Sequence, residues 1–284
     1  MIRSFHHSEY ALERLLGAKR ETVTVVLPAR EVADTVGVIV ERLLALSPLV
    51  DQVLVVDAAS RDGTAELAAA SGAEVHQESE LLADFGPVLG KGDAMWRALS
   101  VARGELLVYL DSDSVDFSAH FATGLLGPLV CEPDVRFVKG HFRRPFSTAD
   151  GAEQPAGGGR VTELTARPLL SAFFPELAAF AQPLAGEVAA RRDFFERLPF
   201  ATGYAVETAM LLHAYDALGG TDAMAQVDLD VRRNRHQPLE ALAPMARQVL
   251  GTVLDRLLAD GRLVDGGHVA PVERPPYATL GARA

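Results

Sequence analysis

The chain has one cysteine, Cys131, one tryptophan, and aromatic residues at only 7% of its 284 positions. A single thiol excludes an intrachain disulfide and a multi-cysteine zinc site, and it is ordinary for a cytoplasmic protein, which is the expected location. Long apolar runs are missing as well. No segment reaches the roughly 18 apolar residues of a membrane span, and the opening MIRSFHHSEYALERLLGAKRE lacks the apolar core of a secretory signal, so no membrane role is expected. Basic charge is scarce: 27 Lys and Arg against 38 Asp and Glu leave a net charge of −11. That balance argues against nucleic acid as a partner, and any anionic ligand must be met by local basic residues.

What is present is apolar bulk. With 49% hydrophobic residues, the chain can bury a large core in one domain or two coupled lobes. Its first half alternates strand and helix patterns. Thr22 to Leu27 reads as a buried strand, and Asp34 is placed to cap a helix whose apolar positions are Val36, Ile39, Val40, Leu43 and Leu44. A second strand, Val53 to Val56, ends at Asp57; an alanine-rich helix, a short strand near Glu74, a helix from about Gly92 to Ala102 and a strand at Leu106 to Leu110 follow. This order predicts an α/β fold with a Rossmann-like, mostly parallel sheet and ligands beyond the carboxyl ends of its strands.

The second half is less regular. Thr148 to Gly159 (TADGAEQPAGGG) reads as a loop or lobe boundary, dividing residues 1–147 from a smaller acceptor-binding and helical half at 148–260. A strand is expected at Ala225 to Arg233, with Asp228, Asp230 and Arg232 on its solvated face. The final helix carries an apolar stripe from Leu239 to Leu258 that packs on the core or on a second subunit, and Pro244 should kink its start. From 261 to 284 the Gly and Pro content suggests a loosely ordered tail.

Chemistry concentrates at ELLVYLDSDS, Glu105 to Ser114, where a strand ends in Asp111 and Asp113. Paired carboxylates there suit a divalent cation that grips a diphosphate; the plain alternative is a solvated strand-end turn. GGGRVT, Gly157 to Thr162, offers glycines for close backbone approach, a helix start and Arg160 for a phosphate or carboxylate, or else it is a linker. Lys91 precedes a helix in a similar way. Arg143, Arg144, Arg232, Arg233 and Arg235 are dense basic points that could meet an anionic acceptor or a diphosphate. In an extended stretch Asn234 and His236 share a face, so His236 could add a metal ligand. Glu207 opens an apolar helix, where an acid is either favourably placed or a sugar-hydroxyl acceptor.

Taken in order, VVLPA, GKG with MWRAL, DSD, VKGHFRRP, GGGRVTELTARPLL, QPLAGE, PFATGYAVE, AQVDLDVR and NRHQPL resemble the glucosyl-3-phosphoglycerate synthases, retaining glycosyltransferases of the GT-A fold close to the mannosyl-3-phosphoglycerate synthases. The resemblance runs from about Thr22 to Leu254. It implies transfer of glucose from a nucleoside diphosphate glucose, UDP-glucose foremost, to the 2-hydroxyl of 3-phosphoglycerate, with Mg²⁺ or Mn²⁺ and a homodimer. Carried over by position, Pro28, Ala29, Arg30, Glu31, Asp57, Ser60, Lys91, Asp111, Ser112, Leu184 and Arg235 would hold the nucleotide sugar. Gly159, Arg160, Val161, Thr162 and Asn234 would hold the acceptor. Asp113 and His236 would bind the metal, and Asp113, Glu207, Arg160 and Lys91 would serve catalysis.

Three departures stand out. Where relatives often have an acidic Asn-Glu-Glu type stretch, this chain has Arg30 to Ala33, and Ala58 and Ala59 replace a Ser-Gly or Asp-Gly pair. Relatives reading VRxHRN carry the metal histidine at the place of Asn234, whereas this chain reads VRRNRHQ, so Asn234 or His236 supplies the ligand, with His236 preferred. Two other functions compete. A sugar nucleotidyltransferase would need a Gly-rich loop after the first strand, where PAREVADTVG stands, and an inactive sugar-nucleotide-binding protein would bind without turnover.

Overall fold

The computed structural model describes residues 2–147, 153–154, 159–233, 238–263 and 273–280. An eight-stranded sheet forms from β1 (Arg3–His6), β2 (Val23–Ala29), β3 (Gln52–Asp57), β4 (Glu74–Gln77), β5 (Leu106–Tyr109) and β6 (Phe137–Arg143), joined after the minor pair β7 (Phe146–Ser147) and β8 (Glu153–Gln154) by β9 (Val188–Arg191) and, after the short β10 (Phe200–Ala201), by β11 (Met224–Val231). Its order is β1-β11-β6-β9-β5-β2-β3-β4. All neighbours run parallel except β9, which is antiparallel to both β5 and β6. The mostly parallel α/β sheet expected from the sequence is therefore present.

The period-two alternation of the central strands divides the core. Val25 and Leu27 of β2, Val53 and Val55 of β3, and Leu106 and Val108 of β5 face one side, packed with α2 (Ala33–Leu44), following α1 (Leu12–Ala18), and with α3 (Thr64–Ala70). Val26, Leu54, Val56, Leu107 and Tyr109 face the other. There they meet Trp96 of α4 (Lys91–Ala98) and, beyond α5 (His120–Cys131) and α6 (Arg167–Phe173), Phe195 of α7 (Arg192–Arg197), Met210 of α8 (Val206–Leu218) and Val253 of α9 (Leu239–Ala259).

Three local expectations change. Asp34 lies in the first turn of α2 but does not cap it; Asp62, from the next loop, accepts the Ala33 N–H at 3.0 Å, and Thr64 Oγ1 accepts that of Val32 at 2.9 Å. The α9 helix runs on through Pro244. Within the stretch 261–284, whose composition suggests a loose tail, Glu273–Arg274 form β12 antiparallel to β10, and Trp96 Nε1 donates to the Pro275 carbonyl at 3.0 Å. Arg274 is buried there against Asp93, at 2.7 Å.

Two irregularities aim side chains at one edge. Because β9 runs against its neighbours, the chain entering it, Leu184–Glu187, arrives where β5 and β6 leave, at the carboxyl ends of the parallel strands. In β11 the pairing with β6 slips between Asp228 and Val231, and Asp230 adopts a left-handed φ of 66°. One extra residue reverses which way the following side chains point. Asp228 and Asp230 stay half-buried, while Arg232, expected on the solvated face, turns inward and is 1% exposed.

Candidate active site

A cleft of about 480 Å³ opens at that edge. Its floor is the Asp111–Asp113 turn after β5, held to β2 by Ser112, whose Oγ donates to the Pro28 carbonyl at 2.7 Å and whose carbonyl accepts from Thr35 Oγ1 at 2.6 Å. Ser112 is thus a tether as well as a lining residue. Behind the floor, the fully buried guanidinium of Arg232 donates to Asp111 at 3.0 Å, to Asp113 at 2.6 Å and to Glu187. Lys91, at the start of α4, donates to Asp111 at 2.5 Å and to Glu207 of α8 at 2.8 Å. Two cations thereby tie together four carboxylates from three separate segments.

The charges follow from this arrangement. Burial alone would push the Asp111 carboxyl up, but Lys91 and Arg232 outweigh it and hold Asp111 well below the usual range. Burial opposes the charge on Lys91 and Arg232 too, yet their carboxylate partners win and both pKa values rise. Glu187 behaves differently: burial pushes it up more than Arg232 pulls it down. Lys139, on β6, is buried and donates to the Ala185 carbonyl at 2.5 Å, and burial lowers it to about 8.

Asp111 and Asp113 therefore divide their work. Both oxygens of Asp111 already accept from cations, which makes it a pin for Lys91 and Arg232. Asp113 presents 55% of its side chain to the cleft. A hard carboxylate oxygen exposed beside a cation-lined hollow fits Mg²⁺ or Mn²⁺.

On the opposite wall, Gly159 takes a left-handed φ of 79° directly before a helical turn that begins at Arg160. Gly159, Arg160, Val161 and Thr162 line the cleft, as do Leu184 and, from α9, Leu242, Met245 and Gln248. The α9 stripe thus borders the site; Val249 packs with Val161 and Leu184, so the helix and the Gly159–Thr162 turn support each other.

Toward β2, Pro28, Ala29 and Arg30 line the cleft, together with Ala58 and Glu78. Glu31, Asp57 and Ser60 stand behind them and support the loop. Ser60 Oγ accepts the Glu31 N–H at 2.9 Å, Asp57 accepts that of Ser60 at 3.0 Å, and Glu31 accepts that of Arg61 at 3.0 Å. Asn234, Arg235 and His236 lie outside the described residues. Sequence reasoning did not single out Glu78, Lys139 or Glu187; it named Arg232 both as a basic point for an anion and as part of a solvated strand face, and its inward turn came from a bulge, which periodicity does not display.

A mostly parallel sheet whose carboxyl edge presents a DSD turn and a cation-lined cleft defines a GT-A-like glycosyltransferase, and residues 24–138 match the family described as Glycosyl transferase family 2. The chain belongs to the glucosyl-3-phosphoglycerate synthase family. It is 42% identical to the glucosyl-3-phosphoglycerate synthase of Mycolicibacterium smegmatis, over 99% of this chain and 97% of the relative. Among solved structures, a mannosyl-3-phosphoglycerate synthase from Rubrobacter xylanophilus matches with a TM-score of 0.90 and 46% identity, covering 98% of this chain and 97% of that one. A Mycobacterium tuberculosis glucosyl-3-phosphoglycerate synthase in complex with Mn²⁺, UDP-glucose and phosphoglyceric acid matches at 0.87 and 38%, over 98% and 99%.

Proposed function

We propose that this enzyme transfers glucose from UDP-glucose to the 2-hydroxyl of 3-phosphoglycerate with retention at the anomeric carbon. The observation that carries the reading is the pairing of two anion-binding walls in one cleft: the Asp113 turn with Lys91 on one side, and Gly159 to Thr162 on the other. The first suits a donor diphosphate and the second a phosphorylated acceptor.

Asp113 would hold the Mg²⁺ or Mn²⁺, with His236 or Asn234 as a further ligand; when bound, the ion supplies Lewis-acid neutralisation of the leaving diphosphate. Pro28, Ala29, Arg30 and the Ser112 turn would cradle the nucleotide, while Glu31, Asp57 and Ser60 fix that loop; Arg235, assigned to the donor by position in the sequence, lies outside the described residues. Lys91 stays charged beside the diphosphate. Glu207, oriented by Lys91, and Leu184 position the sugar. Arg160, with Gly159, Val161 and Thr162, would hold the acceptor, with Asn234 assigned to it by sequence position alone. The carboxylates at the floor are all bound by cations in this arrangement, which favours front-face transfer over a protein nucleophile, with the chain supplying position and charge.

Residues 1–147 form the donor half and 148–260 the acceptor half in this reading. No helix of the described residues is long and apolar enough to cross a membrane. A cytoplasmic homodimer accords with the reading, and sedimentation showing only monomer would exclude the dimer.

A second reading has a specific observation in its favour: the 46% identity to the Rubrobacter mannosyl-3-phosphoglycerate synthase. A GDP-mannose donor would leave the acceptor chemistry unchanged. The deciding experiment is a matrix of UDP-, GDP- and ADP-sugars against 3-phosphoglycerate and glycerate, with and without Mg²⁺. Product with UDP-glucose and 3-phosphoglycerate is expected; no product from 3-phosphoglycerate with any donor would reject both readings.

A further inference from the structure

Arg144 differs from the other cations of the cleft. Arg232 and Lys91 are each held by carboxylates, but the Nε of Arg144 is buried without a hydrogen-bond partner, and no described carboxylate pairs with its guanidinium. An enclosed nitrogen without a partner is costly, and burial, with the nearby charge of Arg232, lowers the pKa of the guanidinium. The Arg144 guanidinium lies 4.7 Å from the centre of the Phe142 ring, which also carries Arg232 at 5.1 Å. A planar fork stacked on an aromatic face keeps its N–H edge available for a planar anion.

Its position selects among anions. Arg144 lines the same cleft as Arg160 and feels the charge of Asp111 and Asp113, so it shares one hollow with the Asp113 turn and the helix start at Arg160. In a 2-hydroxy-3-phospho acid the carboxylate is attached to the same carbon as the reacting hydroxyl, and the phosphate is further away. With the phosphate on the helix start at Arg160 and the hydroxyl directed at the donor, the carboxylate falls between them.

We propose that Arg144 is the acceptor's carboxylate receptor, forming a two-pronged contact that distinguishes a phosphorylated hydroxy acid from a phosphorylated alcohol. This rests on the acceptor reading given above. It also explains why two anionic ends are needed: they fix the hydroxyl between two points.

The test measures dissociation constants of 3-phosphoglycerate and of glycerol 3-phosphate, which keeps the phosphate and lacks the carboxylate, on enzyme loaded with Mn²⁺ and UDP. Arg144→Gln is expected to weaken 3-phosphoglycerate by about 10- to 100-fold, the loss of a charged hydrogen-bonded contact, while glycerol 3-phosphate changes less than about twofold. Arg160→Gln should weaken both ligands together. Arg144→Lys, which keeps charge and loses the fork, should recover part of the discrimination and guards against a folding defect in the Gln variant. Equal losses for both ligands in Arg144→Gln, or no loss for either, would overturn the assignment. Wild-type enzyme that binds neither ligand would overturn the acceptor reading itself, so the two failures are distinguishable.

Discussion

Arg232 donates to Asp113 at 2.6 Å from a side chain with no solvent exposure, although Asp113 itself is more than half exposed. The same guanidinium holds Asp111 and Glu187, so one buried cation compensates three carboxylates. Replacing it by Met removes the cation and leaves the acids facing one another. Arg232→Met should cost about 3–5 kcal/mol of folding stability, as expected when one partner of a buried ionic network is deleted. Denaturant titration reads this directly, and an unchanged midpoint would show that the network is not needed for the fold.

Asp111 and Asp113 should separate in a paired substitution. Asp113→Asn changes an exposed group and should leave stability within about 1 kcal/mol of wild type while abolishing Mn²⁺-enhanced UDP binding and turnover. Asp111→Asn strips a partner from both Lys91 and Arg232, so it should cost about 3 kcal/mol. Melting curves and a Mn²⁺ titration of UDP binding distinguish the two. The division of work is wrong if Asp113→Asn binds UDP and Mn²⁺ normally.

Gly186 has a side-chain constraint instead of a backbone one. A Cβ there would press into Lys91 Nζ and Asp111 Oδ1, because the chain entering β9 passes directly over their ion pair. Gly186→Ala should therefore displace Lys91 and lower kcat by about 10²-fold, the scale of a misplaced site group, with most of the stability retained. Wild-type kcat in this variant would mean that Lys91 needs no fixed position.

These predictions draw on parts of the molecule that were unequally legible in the sequence. The DSD turn, Lys91, Glu207 and the Gly159–Thr162 turn could be found because glycine, charge and strand-end position are local signals, and the structure brings all of them to one cleft. Asp62, capping α2 across a loop, could not be found, since the pairing is not local. Arg232 was hidden by the bulge at Asp230: strict alternation put it in solvent, and one inserted residue turned it into the core. Arg274 was hidden by composition, because a Gly- and Pro-rich stretch gives no sign that one arginine in it will pair with buried Asp93.

Glu78 provides a test that depends on pH. Both of its carboxylate oxygens are buried without a hydrogen-bond partner among the described residues, beside the wall formed by Pro28 and Ala29. Burial, and then the charge of Asp93, push it from 4.5 up to about 7, against the pull of Arg97, Arg30 and Arg274. In the unfolded chain the group ionises near 4.5; in the folded protein it keeps its proton until about 7. Between those values the folded state binds more protons, so this residue makes stability fall as pH rises, and the full penalty is present above the folded value. Glu78→Gln removes the ionisation. The variant should match wild type near pH 4 and be more stable by about 3 kcal/mol at pH 8, the free energy equivalent to that shift, read by denaturant titration at each pH. Parallel stability-versus-pH curves for the two proteins would show that Glu78 ionises without penalty.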